Sequence, residues 1–127
     1  NVICVVETHD DFRGIEKTGS YSGVYHILLG RIAPLEDCGP DKLTIGQLLN
    51  RIRQDANIRE LILATNPTME GDNTALYLKQ EIANILPQGR QVKITRLARG
   101  IPAGSTIGYI NKATLSESLS GRQEYAK

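Results

Sequence analysis

Short, unbroken apolar runs alternate along the chain with longer segments whose apolar residues recur every three or four positions, and the two patterns predict different elements. "VICVV" (2–6) is continuous and rich in β-branched residues, which predicts a strand covered on both faces, as in a parallel sheet. "VYHILL" (24–29) and "ELILAT" (60–65) predict two further strands of that kind. "QVKITRLA" (91–98) alternates, and predicts a strand with one wetter face. In "ETHDDFRGIEK", Thr8 with Asp11 three residues on is a capping signal for a short helix. "TIGQ" (44–47) reads as a capping box, beyond which Ile45, Leu48, Leu49, Ile52 and Ala56 fall on one helical face. Ala75, Leu78, Ile82 and Ile85 predict a third helix that stops before "PQG" (87–89). "TLSE" (114–117) reads as a second capping box, opening a short terminal helix. Glycine and proline make "GRIAPLEDCGPDKL" (30–43) and "RGIPAGST" (99–106) loops. Strand and helix thus alternate throughout, which predicts an α/β fold: a mainly parallel central sheet, built from right-handed βαβ units and flanked by helices.

Composition narrows the function classes. The 127 residues suit one domain with a real core, since burial becomes comfortable above roughly 100 residues. Fifteen basic against fourteen acidic residues leave a net charge of +1, without the strong positive field of an autonomous DNA-binding domain. Nucleic-acid contact is therefore expected to be local, or borrowed from an assembly. Cys4 and Cys38 have neither zinc-site spacing nor the numbers for a disulfide framework, which fits a reduced, cytoplasmic setting. No apolar run approaches the roughly 20 residues of a membrane span, and no basic-then-apolar leader opens the chain. A strand begins directly after Asn1, which reads as a domain cut or processed from a longer chain.

In open parallel sheets, ligands gather beyond the carboxyl ends of the strands. Glu7 ends the first strand, and Asn66, Thr68, Glu70 and Asp72 follow the third. If those strands are neighbours, the acids share one cleft, the layout of a magnesium site. Here the stretch "LATNPTMEGDN" (63–73) resembles the Toprim domain of type IA topoisomerases and bacterial primases, in which the turn reads like "LATDPDREGEA". Asn66 and Thr68 stand where the two metal-binding aspartates belong, whereas Glu70 and Gly71 match. Such a departure is similar to that of the RecR family of recombination mediators. Further resemblance to that family extends over the whole chain, through "VVE", "IEKTG", "YSGVYHIL", "GRIAPLEDCGPDKL", "TALYL" and "TRLARGIPAGS".

The resemblance implies a Toprim-type three-layer fold over 1–98, with 99–127 as a loop and short helix packed with the same domain and serving assembly. It implies a docking domain with a converted catalytic cleft, in a ring-forming homo-oligomer acting in recombinational DNA repair. The implied partners are RecO, and sometimes RecF, in loading recombinase on single-stranded DNA; nucleoid association in the cytoplasm follows. A helix-hairpin-helix element and a four-cysteine zinc motif usually precede this domain in the family, so zinc is expected there and no cofactor in this part. Family members often carry Leu-Glu-Tyr-x-Asp where this chain has "IGYIN", so ionic contacts carried by those two acids do not transfer to Gly108 and Asn111.

The residues argue independently against catalysis. Phosphoryl-transfer sites use carboxylates to hold a divalent ion; Asn66 offers only an amide oxygen, and Thr68 is a poorer ligand still. Glu7, Glu70 and Asp72 retain at most weak magnesium binding, and a residual magnesium-dependent nuclease or topoisomerase-like enzyme is the alternative reading. Glu70 and Asp72 divide between helix capping and a partner contact. Glu7 suits a surface contact or a hydrogen-bond network at the cleft. Arg96 and Arg99 precede a glycine-containing loop, as phosphate forks or as interface residues. His26 reads as a satisfied strand histidine, His9 as solvent-facing and Cys4 as a small core residue.

Overall fold

The computed structural model describes residues 1–125, and the chain falls into two compact units, 1–96 and 97 onward. In the first unit the elements run β1 (Val2–Val6), α1 (His9–Glu16), β2 (Val24–Ile27), α2 (Ile45–Gln54), β3 (Glu60–Leu63), α3 (Met69–Ile85) and β4 (Lys93–Arg96). The four strands form one parallel sheet in the order β2-β1-β3-β4.

Strand periodicity decides what each face buries. Ile3 and Val5 of β1, with Leu61 and Leu63 of β3, meet Leu48 and Ile52 of α2 and Leu78 and Ile82 of α3. Each of those helix side chains is fully buried and contributes about 2 kcal/mol by area. Cys4 and Val6 point the other way, towards Phe12 and Ile15 of α1. There Phe12 and Tyr25 meet edge-on with ring centroids 4.6 Å apart. Burial pushes the Cys4 thiol up to about 11, so it behaves as an inert core group. The α/β expectation therefore holds, with helices on both faces of a central parallel sheet.

Several local expectations are corrected. β2 and β3 end before 29 and 65, where the chain leaves the sheet for the strand-end turns, and β4 is shorter than 91–98 at both ends. β4 lies at the sheet edge, which explains its wetter pattern. Thr44 does not cap α2 with its side chain. Its hydroxyl donates to the Ile27 carbonyl at 2.7 Å instead, and its oxygen lies 2.9 Å from His26 Nε2. With the hydroxyl proton committed, Nε2 carries the imidazole proton and donates to both Thr44 oxygens. His26 is thus a satisfied strand histidine. Ala56 is exposed and lies beyond the end of α2.

The second unit contains a 3-10 turn (Ile107–Tyr109) and α4 (Lys112–Ser120). Asn111, rather than Thr114, caps α4: its side chain accepts the Thr114 N–H at 2.8 Å. None of the described residues from 97 onward is buried. No helix among the described residues is long and apolar enough to cross a membrane.

Candidate functional site

β1 and β3 are neighbours, so their carboxyl ends bring Glu7 against the turn that precedes α3. Glu7 is only 3% exposed. Its carboxylate accepts the Asn66 backbone N–H at 2.8 Å, and its carbonyl accepts the Gly30 N–H at 2.8 Å. One residue thus ties the ends of three strands together. Glu7 takes part in a buried hydrogen-bond network at the cleft. The Asn66 amide extends the network by donating to Asp11 of α1 at 3.1 Å.

Thr68 is the N-cap of α3: its hydroxyl accepts the Gly71 N–H at 2.9 Å. The capping role proposed for Glu70 and Asp72 therefore belongs to Thr68, while the two acids occupy the first turn and favour the helix dipole. Thr65 donates to the Gly71 carbonyl at 2.6 Å. Gly71 is required by contact, not by conformation: a Cβ there would stand 1.9 Å from the Asn66 carbonyl oxygen. Buried Thr74 donates to the Glu70 carbonyl at 2.7 Å and accepts the Ile32 N–H at 2.9 Å, which fastens the 30–43 loop to α3.

Arg96, at the end of β4, closes the turn from the other side. Its Nη1 donates to the carbonyls of Leu63 and Thr65, each at 2.7 Å. Its Nη2 donates to the Asn66 carbonyl at 3.2 Å and to Asp72 Oδ1 at 2.8 Å. The guanidinium is consumed by the fold, so Arg96 is a clamp on the turn and not a phosphate fork. Arg99 lies in the second unit, where Nη1 donates to Glu117 Oε2 at 2.9 Å.

The strand-end acids do not form one face. Glu7 is buried, and Asp72 borders a cavity of ≈280 Å³ beside Arg96 and Lys79. Glu70 opens instead onto a groove shared with the 32–36 loop. Leu29, just before that loop, is held at φ 68° and is exposed. For a branched residue this left-handed geometry costs about 1–2 kcal/mol.

A divalent ion is what the fold would place between Glu7 and the turn, and the donor set does not suit one. The Thr68 hydroxyl faces a backbone N–H, the Asn66 side chain is drawn to Asp11, and Glu7 already accepts a backbone N–H. Among the described residues no three His, Cys, Asp or Glu side chains group closely enough to hold a metal. Sequence reasoning missed Asp11, Thr65 and Thr74 in this network and the clamp role of Arg96. The register that pairs Leu63 with Arg96 is the signal that would have found the clamp.

Residues 1–98 match the Toprim domain family, and residues 100–123 match the family described as RecR, C-terminal. Among similar curated proteins, "Recombination protein RecR" of Rhodopirellula baltica is 50% identical over 121 residues, covering 95% of this chain and 58% of the relative. The protein of the same name from Treponema pallidum is 49% identical over 122 residues, covering 96% of this chain and 58% of the relative. That from Chloroherpeton thalassium is 47% identical over 126 residues, covering 97% and 59%. The chain therefore spans less than two thirds of the length of these relatives.

Proposed function

The chain belongs to the Toprim domain family, in the form carried by RecR recombination proteins, and on that premise we propose that it is a non-catalytic docking and assembly domain of a recombination mediator in DNA repair. The observation that carries this reading is the use made of the two positions where catalytic relatives have aspartates. Asn66 binds Asp11 and Thr68 caps α3, so both side chains hold the turn together. A turn clamped further by Arg96 is a rigid platform, which suits recognition by a protein partner. In this role the domain acts with RecO, and in some settings RecF, in loading recombinase on single-stranded DNA. DNA is held by the intact oligomer and not by this face.

The second unit supports the assembly half of the proposal. Ile107, Tyr109, Leu119 and Tyr125 are all more than half exposed, and apolar side chains presented in this number favour contact with another surface. The test uses the full-length protein. Titration calorimetry with magnesium and manganese, followed by a plasmid nicking assay, is expected to give neither tight binding in this domain nor cleavage. Affinity for RecO is measured beside it with Glu70→Lys, which is expected to weaken binding at least tenfold. Ion-dependent nicking abolished by Glu7→Gln would overturn the non-catalytic reading. Unchanged RecO affinity would remove Glu70 from the interface.

A further inference from the structure

Beside the strand-end turn, a groove of ≈340 Å³ runs between the 32–36 loop and the first turn of α3. Ile32, Pro34, Leu35 and Met69 wall most of it with carbon, Asn73 adds an amide, and the exposed acids Glu36 and Glu70 stand at its rim. Leu35 is fully exposed and Met69 is 78% exposed. Neither belongs to a loose segment. The Leu35 turn is held by the Glu36 N–H to the Ala33 carbonyl at 2.9 Å and by the bridge between Ala33 and Cys38. Met69 is the first residue of α3, directly behind the Thr68 cap. The Ile32 N–H to Thr74 bond joins the two walls. The groove is therefore preformed, and its apolar side chains are held out to water by structure.

Charge selects among occupants. Glu36 has only a loose contact with Arg31, at 3.7 Å, and Glu70 makes no ion pair among the described residues. A negative rim repels nucleic acid. A small metabolite would need several polar groups converging on it from the walls, and among the described residues Asn73 alone offers an uncharged polar side chain there. Apolar anchors within a charged rim are instead the anatomy of a protein-binding hot spot, and a flexible methionine adapts to the inserted side chain.

We propose that this groove receives one large apolar side chain from a partner protein, in a segment where lysine or arginine follows within one helical turn and pairs with Glu70 and Glu36. The proposal rests on the docking function above and specifies its chemistry. Recognition is apolar first, with the acids conferring sign selectivity.

The experiment uses the full-length protein with RecO as probe, and compares wild type with Leu35→Ser, Met69→Ser and Glu70→Gln at low and high salt. Both serine variants are expected to weaken binding at least tenfold at either salt. Glu70→Gln is expected to weaken it less, and mainly at low salt. The two serine sites are exposed, and circular dichroism confirms that each variant is folded. If the wild type does not bind RecO, the docking function fails. If it binds and both serine variants stay within twofold, docking survives and the groove proposal is overturned. A change in sedimenting mass of the serine variants, without the partner, would make a second copy the occupant and also overturn it. Photo-crosslinking from position 35 reads the partner segment, and a segment without lysine or arginine within four residues of the crosslink contradicts the charge half.

Discussion

The two units are built on different physical footings. In residues 1–96, helices cover both faces of a parallel sheet, and the turn before α3 is fixed by side-chain bonds from Glu7, Thr65, Thr68 and Arg96. From 97 onward, order comes from a few side-chain bonds, chiefly the Asn111 cap and the Arg99 to Glu117 pair, with no buried residue among those described. Segments with few buried contacts open at lower free energy than a cooperative core. On the function proposed above, the rigid unit with its shaped groove serves recognition and the weakly buried unit with its apolar side chains serves assembly.

That contrast breaks most directly at Gly71. Gly71→Ala forces a carbon against the Asn66 carbonyl, and is expected to cost at least about 3 kcal/mol in thermal or urea unfolding. Gly14→Ala in α1 meets nothing within 4 Å and serves as the control, with an expected gain of about 0.5–1 kcal/mol. Equal effects of the two would mean that the turn is not rigid. Arg96→Met comes next, because it strips a donor from three backbone carbonyls at once. A loss of about 2–3 kcal/mol is expected in urea unfolding.

The two N-caps sharpen the comparison at a smaller scale. Thr68→Ala and Asn111→Ala remove chemically similar bonds, each worth about 1 kcal/mol. Thr68→Ala is expected to lower the global unfolding free energy. Asn111→Ala is expected to appear as lost amide protection confined to 112–120 by hydrogen exchange. The smallest effect is a pH dependence at His26, whose pKa is lowered by burial. The unfolded chain then binds the proton more readily, so stability is full above the unfolded value of about 6.5. It falls as pH drops from there through the lower folded value. His26→Gln keeps a donor towards Thr44 and is expected to flatten that stretch of the stability curve.

Element identity was largely legible because it depends on periodicity, a local property. The run at 2–6 could hardly be anything but a buried strand, and the three-and-four spacing of Ala75, Leu78 and Ile82 marked the buried face of α3. Capping was legible only in part. Thr8 does cap α1, accepting the Asp11 N–H at 3.2 Å, whereas the Thr44 hydroxyl donates to the Ile27 carbonyl at the end of β2 and not along its own helix. A motif states what a side chain is able to bond, and its neighbours in space decide which bond it makes.

The sequence by itself determined the α/β class and the position of the strand-end turn, because residue type and spacing are enough for each, whereas the reading of Asn66 and Thr68 as replacements of two carboxylates rests on the resemblance to the Toprim family. Only the tertiary structure decided that Glu7 is buried, that Arg96 is spent on the turn, and that Glu70 faces a groove apart from Asp72. Those outcomes depend on which strands are neighbours and in what register, and on partners 24 to 59 residues away along the chain. Spacing along one element carries no information about contacts at that range.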